Sequence, residues 1–289
     1  MKKVLILVLV FILALSGCTA AKSDKIQIAT TIFPEYDFAR AVAGDLADVS
    51  MLIPAGSDMH SFEPTAQDLA KISESQLFIY VGGESDKWVE KVLENVNPRK
   101  TKVLRLLDVV EIKDGADEHI WTSPDNAATI INAIRDIMCE TDVENRGVYR
   151  GNADGYIKEI DEAAQHTRLV VETAKNKKIV VADRFPLKYF AEYYGIEYVA
   201  AFGGCEHDTD ADVATVTSLI NTVKKDKLSA VFHIELSSAD LANTVAKSTG
   251  AKVLELHSAH NVSVEDYKKG VTYVDLMKRN TKTLEEGLN

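Results

Sequence analysis

Short apolar, β-branched runs alternate with stretches of helical spacing along most of the chain. Ile26–Thr30, Val49–Ile53, Leu77–Val81 and Lys102–Arg105 read as strands, and 35–44, 65–74, 86–96 and 124–140 carry apolar residues at threes and fours. From about Val143 to Asn176 the pattern becomes one long helix, with Tyr149, Tyr156, Ile160, Ala164 and Val171 on its apolar stripe. The alternation then resumes, with strands at 179–182, 198–202, 230–234 and 252–256 and helices at 186–194, 210–225, 238–248 and 264–287. Strand–helix alternation builds a doubly wound parallel sheet. The chain is therefore expected to be α/β, with two such lobes, 26–141 and 177–289, joined by one backbone helix over 142–176.

The first residues follow another rule. Met1-Lys2-Lys3 is a cationic start, and Val4 to Leu15 is an unbroken apolar run, too short to span a bilayer at about 20 residues. It reads as a signal peptide over 1–17. The run ends in Leu15-Ser16-Gly17-Cys18, which resembles a lipobox, so Cys18 is expected to carry a diacylglyceryl anchor and 18–25 to form a polar tether. Two acyl chains hold a protein stably at a membrane, where one would be marginal. The body is thereby expected outside the cytoplasm, lipid-anchored to the cell membrane. In that oxidising setting Cys139 and Cys205 are either a disulfide pair or two separate small core residues.

Composition narrows the function classes. The 289 residues are 46% apolar and 27% charged, an ordinary globular balance. Asp and Glu number 44 against 33 Lys and Arg, for a net charge of −11. No basic face emerges of the kind that nucleic-acid binding requires.

The metal-seeking residues fall in telling places. Ligands of open parallel sheets bind beyond the carboxyl ends of the strands. His60 lies on the loop after the second strand, just before a helix capped by Thr65 with Asp68 three residues on, a variant of the capping box. His119 precedes another helix, Asp183 and Glu235 each end a strand, and His257 and His260 follow the last one. His207 stands in a polar loop, Glu206-His207-Asp208. These separations exclude zinc-finger and His-Glu-x-x-His spacing. Donors would come from separate loops of both lobes and meet in the cleft between them.

The same residues carry a family resemblance. Gly56-Ser57-Asp58-Met59-His60-Ser61-Phe62-Glu63-Pro64-Thr65 resembles one signature of the zinc- and manganese-binding lipoproteins of bacterial ABC importers, the ZnuA/TroA-like solute-binding proteins. Asp117-Glu118-His119-Ile120-Trp121 resembles their second. The likeness extends through Gly82-Gly83, Trp88, Tyr189-Phe190-Ala191 and Thr249-Gly250-Ala251 to Tyr273 and Met277. It implies two lobes on a rigid helix, a metal site in the cleft, and delivery of a divalent transition metal to an ABC permease by a monomeric carrier.

Transferred residue by residue, the resemblance implies His60 and His119 as metal ligands. The family's third ligand position holds Arg184 here, with Asp183 one residue earlier, so Asp183 is the expected substitute; Arg cannot ligate because it is always protonated. Alignment on Thr249 to Val253 places His257 at the fourth position, with His260 as its competitor and with Glu235 and His207 as further ligand or supporting candidates. Three imidazoles and one carboxylate favour zinc, with manganese the alternative. The rival readings are a zinc hydrolase using Glu235 as base, and a same-fold adhesin or binder of an organic solute.

Overall fold

The structure, a computed structural model, describes residues 25–57, 62–112, 117–204 and 211–289. Cys18 and the leader, His60, Cys205 and His207 lie outside the described residues.

The N-terminal lobe carries strands β1 (Ile26–Thr30), β2 (Ala47–Met51), β3 (Leu77–Tyr80) and β4 (Lys102–Arg105) in the order β2-β1-β3-β4, all parallel. The C-terminal lobe repeats that order with β5 (Lys178–Arg184), β6 (Glu197–Phe202), β7 (Ala230–Ile234) and β8 (Lys252–Leu256), as β6-β5-β7-β8. Helices α1 (Phe33–Ala43), α2 (Ala66–Glu74), α3 (Lys87–Leu93) and α4 (Pro124–Thr141) serve the first lobe. Helices α6 (Lys188–Tyr194), α7 (Val213–Lys225), α8 (Asp240–Thr249), α9 (Val264–Lys269) and α10 (Tyr273–Gly287) serve the second. Between them runs α5 (Arg146–Thr173), 28 residues or about 42 Å at 1.5 Å per residue. Among the described residues no helix is long and apolar enough to cross a membrane.

The continuous apolar runs of the strands have a simple cause: both faces of each sheet are covered. In β1 and β3, Ile28, Leu77 and Ile79 point into a central core that also holds Trp121, Phe190 and Tyr273, while Ala29, Phe78 and Tyr80 point into an outer layer with Ile72 and Val89. In the second lobe Ile179 and Val181 face the central core, and Val180 and Ala182 face an outer layer with Leu219 and Val245. One core thus runs through both lobes.

Two elements, β2 and the helix expected over 264–287, show a correction to the sequence expectation. β2 starts at Ala47, because pairing with β1 puts Ala47 opposite Ile26 and ends the ladder at Met51 opposite Thr30. The expected helix over 264–287 is two helices, broken at Gly270, whose φ of +69° ends α9 in the left-handed region. Thr272 then starts α10 with a capping box to Asp275. The Thr65 capping box is present as expected, with the Asp68 amide donating to Thr65 Oγ1 and the Thr65 amide to Asp68 Oδ2. Cys139 is a free thiol buried in α4.

Buried polar ties lock the lobes to α5. Asp37 of α1 receives the Tyr273 amide at 2.8 Å and the hydroxyl of Tyr156, and pairs with Arg40 at 2.9 Å. Arg40 also donates to the carbonyls of Gly270 and Val271. A carboxylate buried this deeply is tolerable only with such partners.

Candidate metal centre in the inter-lobe cleft

The carboxyl ends of β5, β7 and β8 open onto a cavity of about 190 Å³ between the lobes, walled by His119, Asp183, Arg184, Glu235, Ser258 and His260 among others. Gly56 and Ser57 of the first lobe, and Gly204 after β6, complete its rim. This is the switch-point location that doubly wound sheets use for ligands.

His119 is completely buried just before a short 3-10 turn, Ile120–Thr122. Its Nδ1 lies 2.8 Å from Asp117 Oδ1, and its backbone N–H donates to the same oxygen at 2.9 Å. Burial acts to raise the Asp117 pKa, but the hydrogen bonds from His119 prevail and hold it below the ordinary value. An ionised carboxylate only accepts, so in the neutral ring Nδ1 carries the hydrogen and Nε2 keeps its lone pair. That Nε2 is buried and, among the described residues, has no hydrogen-bond partner. Left so, it would cost about 1–3 kcal/mol, and a metal ion is one group that could accept its lone pair.

The second lobe holds this segment in place. Trp121 donates from Nε1 to the Ser258 carbonyl at 2.9 Å, Tyr273 donates its hydroxyl to the Trp121 carbonyl at 2.8 Å, and Tyr189 donates to the Asp117 carbonyl at 3.2 Å. From the first lobe, Glu118 receives the Ser85 amide and hydroxyl. A Cβ on Gly83 would lie 1.8 Å from Glu118 Oε2, so a glycine is needed there for that approach.

His260 stands against His119, with ring centroids 5.1 Å apart and planes at 88°. The turn that delivers it has an unusual backbone: Ala259 has φ +61°, a conformation uncommon in residues other than glycine. Asn261 next along donates to the carbonyls of Pro54 and Ser57, and the Gly56 amide donates to the Val262 carbonyl. This last-lobe turn therefore fixes the start of the loop that carries His60.

His257, expected at the fourth ligand position, does not line the cavity. Its backbone is gripped by Asn280 on both sides, at 2.7 Å each, and its Nδ1 accepts the Ala259 amide at 2.9 Å. Burial pushes its pKa down to about 4. The geometry gives it the work of shaping the turn. Glu235 sits in the cavity wall with both carboxylate oxygens engaged by Ser258, at 2.8 Å from the amide and 2.5 Å from the hydroxyl. Burial raises its pKa to about 7. Asp183 lines the cavity and accepts the amides of Arg184 at 2.8 Å and Ile234 at 3.2 Å.

His119, Asp183, Glu235 and His260 are thus brought together, with His257 behind them. Among the described residues no three His, Cys, Asp or Glu side chains form a complete ligand group; His60 and His207 belong to segments outside that description. Which of His257 and His260 lines the cavity depends on the Ala259 turn, for which the sequence carries no signal.

Comparison with known proteins places the whole fold in a family. The chain is 30% identical over 307 residues to the zinc-binding lipoprotein AdcA of Streptococcus pneumoniae, an alignment that takes in 99% of this chain and 61% of AdcA. It therefore spans about three fifths of that relative's length. It is 26% identical over 290 residues to the high-affinity zinc uptake system protein ZnuA of Bacillus subtilis, covering 94% of this chain and 90% of that protein. The crystal structure of the Zn(II)-bound ZnuA-like domain of S. pneumoniae AdcA superposes with a TM-score of 0.80 at 31% identity, covering 91% of this chain and 99% of that one. Residues 28–287 match the model of the family described as zinc-uptake complex component A, periplasmic, and the chain belongs to that ZnuA family.

Proposed function

We propose that this protein captures a divalent transition metal, zinc foremost, outside the cytoplasm and hands it to an ABC permease. The observation that carries the reading is His119 Nε2, a buried lone pair without a hydrogen-bond partner among the described residues, beside the His260 ring. In this reading the donors are His60, His119 and His260, with Asp183 as the carboxylate. His60 follows Ser57 of the cavity rim by three residues in the sequence. His207 follows Gly204 of the same rim at the same separation and is a further candidate. An imidazole-rich set suits zinc over manganese, and zinc also ranks higher in intrinsic affinity.

Anchoring through a diacylated Cys18, and service as a monomer, belong to the same proposal. The shared core and the α5 strut support a small closing motion. Hydrolase chemistry has no support in the family to which the chain belongs, whose described role is zinc uptake.

The test is metal stoichiometry after expression in metal-replete medium, followed by zinc titration of the stripped protein. One equivalent of zinc, lost in His119→Ala and His260→Ala, is the expected result. Absence of bound transition metal, or unchanged affinity in both variants, would defeat the proposal.

A further inference from the structure

The metal reading leaves one cavity residue unexplained, and it has the wrong sign for a cation site. Arg184 lines the cavity and also the adjoining one beneath Phe202 and Ser237. Among the described residues its guanidinium donates no hydrogen bond and meets no carboxylate within ion-pair distance; only its backbone amide is engaged, by Asp183. Its guanidinium is charged at all relevant pH and offers a planar fork of donors that fits two oxygens at once.

The backbone presents this residue deliberately. β5 pairs regularly with β6 up to Val181, then shifts register before Arg184 pairs with Phe202. Such a bulge re-aims side chains beside binding sites. Among the described residues no carboxylate pairs with the Arg184 guanidinium: the oxygens of Asp183 accept two backbone amides, and those of Glu235 accept from Ser258. A bare dication beside a guanidinium would face repulsion that the desolvated cleft amplifies. The cavity, about 190 Å³, also exceeds one ion; a water molecule takes about 30 Å³ of liquid.

We propose, resting on the metal-capture reading, that Arg184 forms an anion subsite: the metal is taken together with a carboxylate-type anion, one oxygen on the metal and the others on the Arg184 fork. No covalent bond forms or breaks. The anion supplies the negative charge and the donor that an always-protonated side chain cannot. A free small anion and a carboxylate chelator share this chemistry.

Zinc affinity is measured on the stripped protein in carbonate-free, carboxylate-free buffer with free zinc fixed by a metal buffer, then with bicarbonate or with citrate added. Wild type should tighten tenfold or more with at least one, bicarbonate indicating a free anion and citrate alone a chelate. Arg184→Met should abolish that gain, Arg184→Lys should keep only part of it, and Arg184→His should bind zinc tightly without any anion. Anion-independent affinity in wild type, or a full gain persisting in Arg184→Met, overturns the subsite while leaving metal capture intact. If zinc binds in no condition, the metal reading itself falls and the subsite with it.

Discussion

Asp117 Oδ1 lies 2.8 Å from Nδ1 of His119 and also accepts the His119 backbone N–H. One oxygen thereby orients the ring and turns Nε2, the atom proposed to take the metal, away from it. Carboxylate–imidazole holds of this kind typically change metal affinity 10–100-fold. Asp117→Ala should weaken zinc binding by that order in competition titrations. Asp117→Asn, which can still accept a hydrogen bond, should lose less. Equal affinity in Asp117→Ala and wild type would contradict the role.

His257 and His260 separate binding from folding. His260→Ala should lower zinc affinity by at least tenfold with little change in thermal midpoint. His257→Ala should keep most of the affinity but strand the Ala259 amide, costing about 1–3 kcal/mol in denaturant unfolding. The opposite assignment would follow if His257→Ala lost zinc while remaining fully stable.

Asp37 joins α1, α5 and α10 through Arg40, Tyr156 and the Tyr273 amide. Removing one partner of a buried charged network costs about 3–5 kcal/mol, so Asp37→Ala should lower the unfolding midpoint markedly. It should also speed amide exchange at the start of α10. A loss under about 1 kcal/mol would mean the tie is not structural.

Stability should carry a signature of Asp86. Burial raises its carboxyl pKa to about 6, against contributions from the Val81 and Gly82 amides that lower it. The folded state therefore holds a proton that the unfolded chain releases from about pH 4 upward, so this group's contribution falls as pH rises to about 6 and is level beyond. The difference in unfolding free energy, wild type minus Asp86→Asn, should decline by on the order of 2 kcal/mol between pH 4 and pH 7. A difference that is flat or rises over that range would show that the buried carboxyl is not raised.

Much of this protein was legible in the chain because the deciding forces were local. Apolar runs such as Leu77–Tyr80 specify strands covered on both faces, and the repeated strand–helix alternation specifies parallel sheets. Strand ends then locate where Asp183 and Glu235 must emerge. The Gly270 break was also written in the sequence, as a glycine where a helix must stop, though the apolar spacing of 264–287 reads straight through it.

Three things were settled only by packing across the lobes. The start of β2 depends on its register against β1, a partner some twenty residues away. The sheets share the order 2-1-3-4 only once paired. Which imidazole faces the cavity rests on a positive φ at Ala259 and on Asn280, 23 residues from His257. Alanine carries no signature for that conformation, so the turn is imposed by tertiary hydrogen bonds that local propensity does not encode.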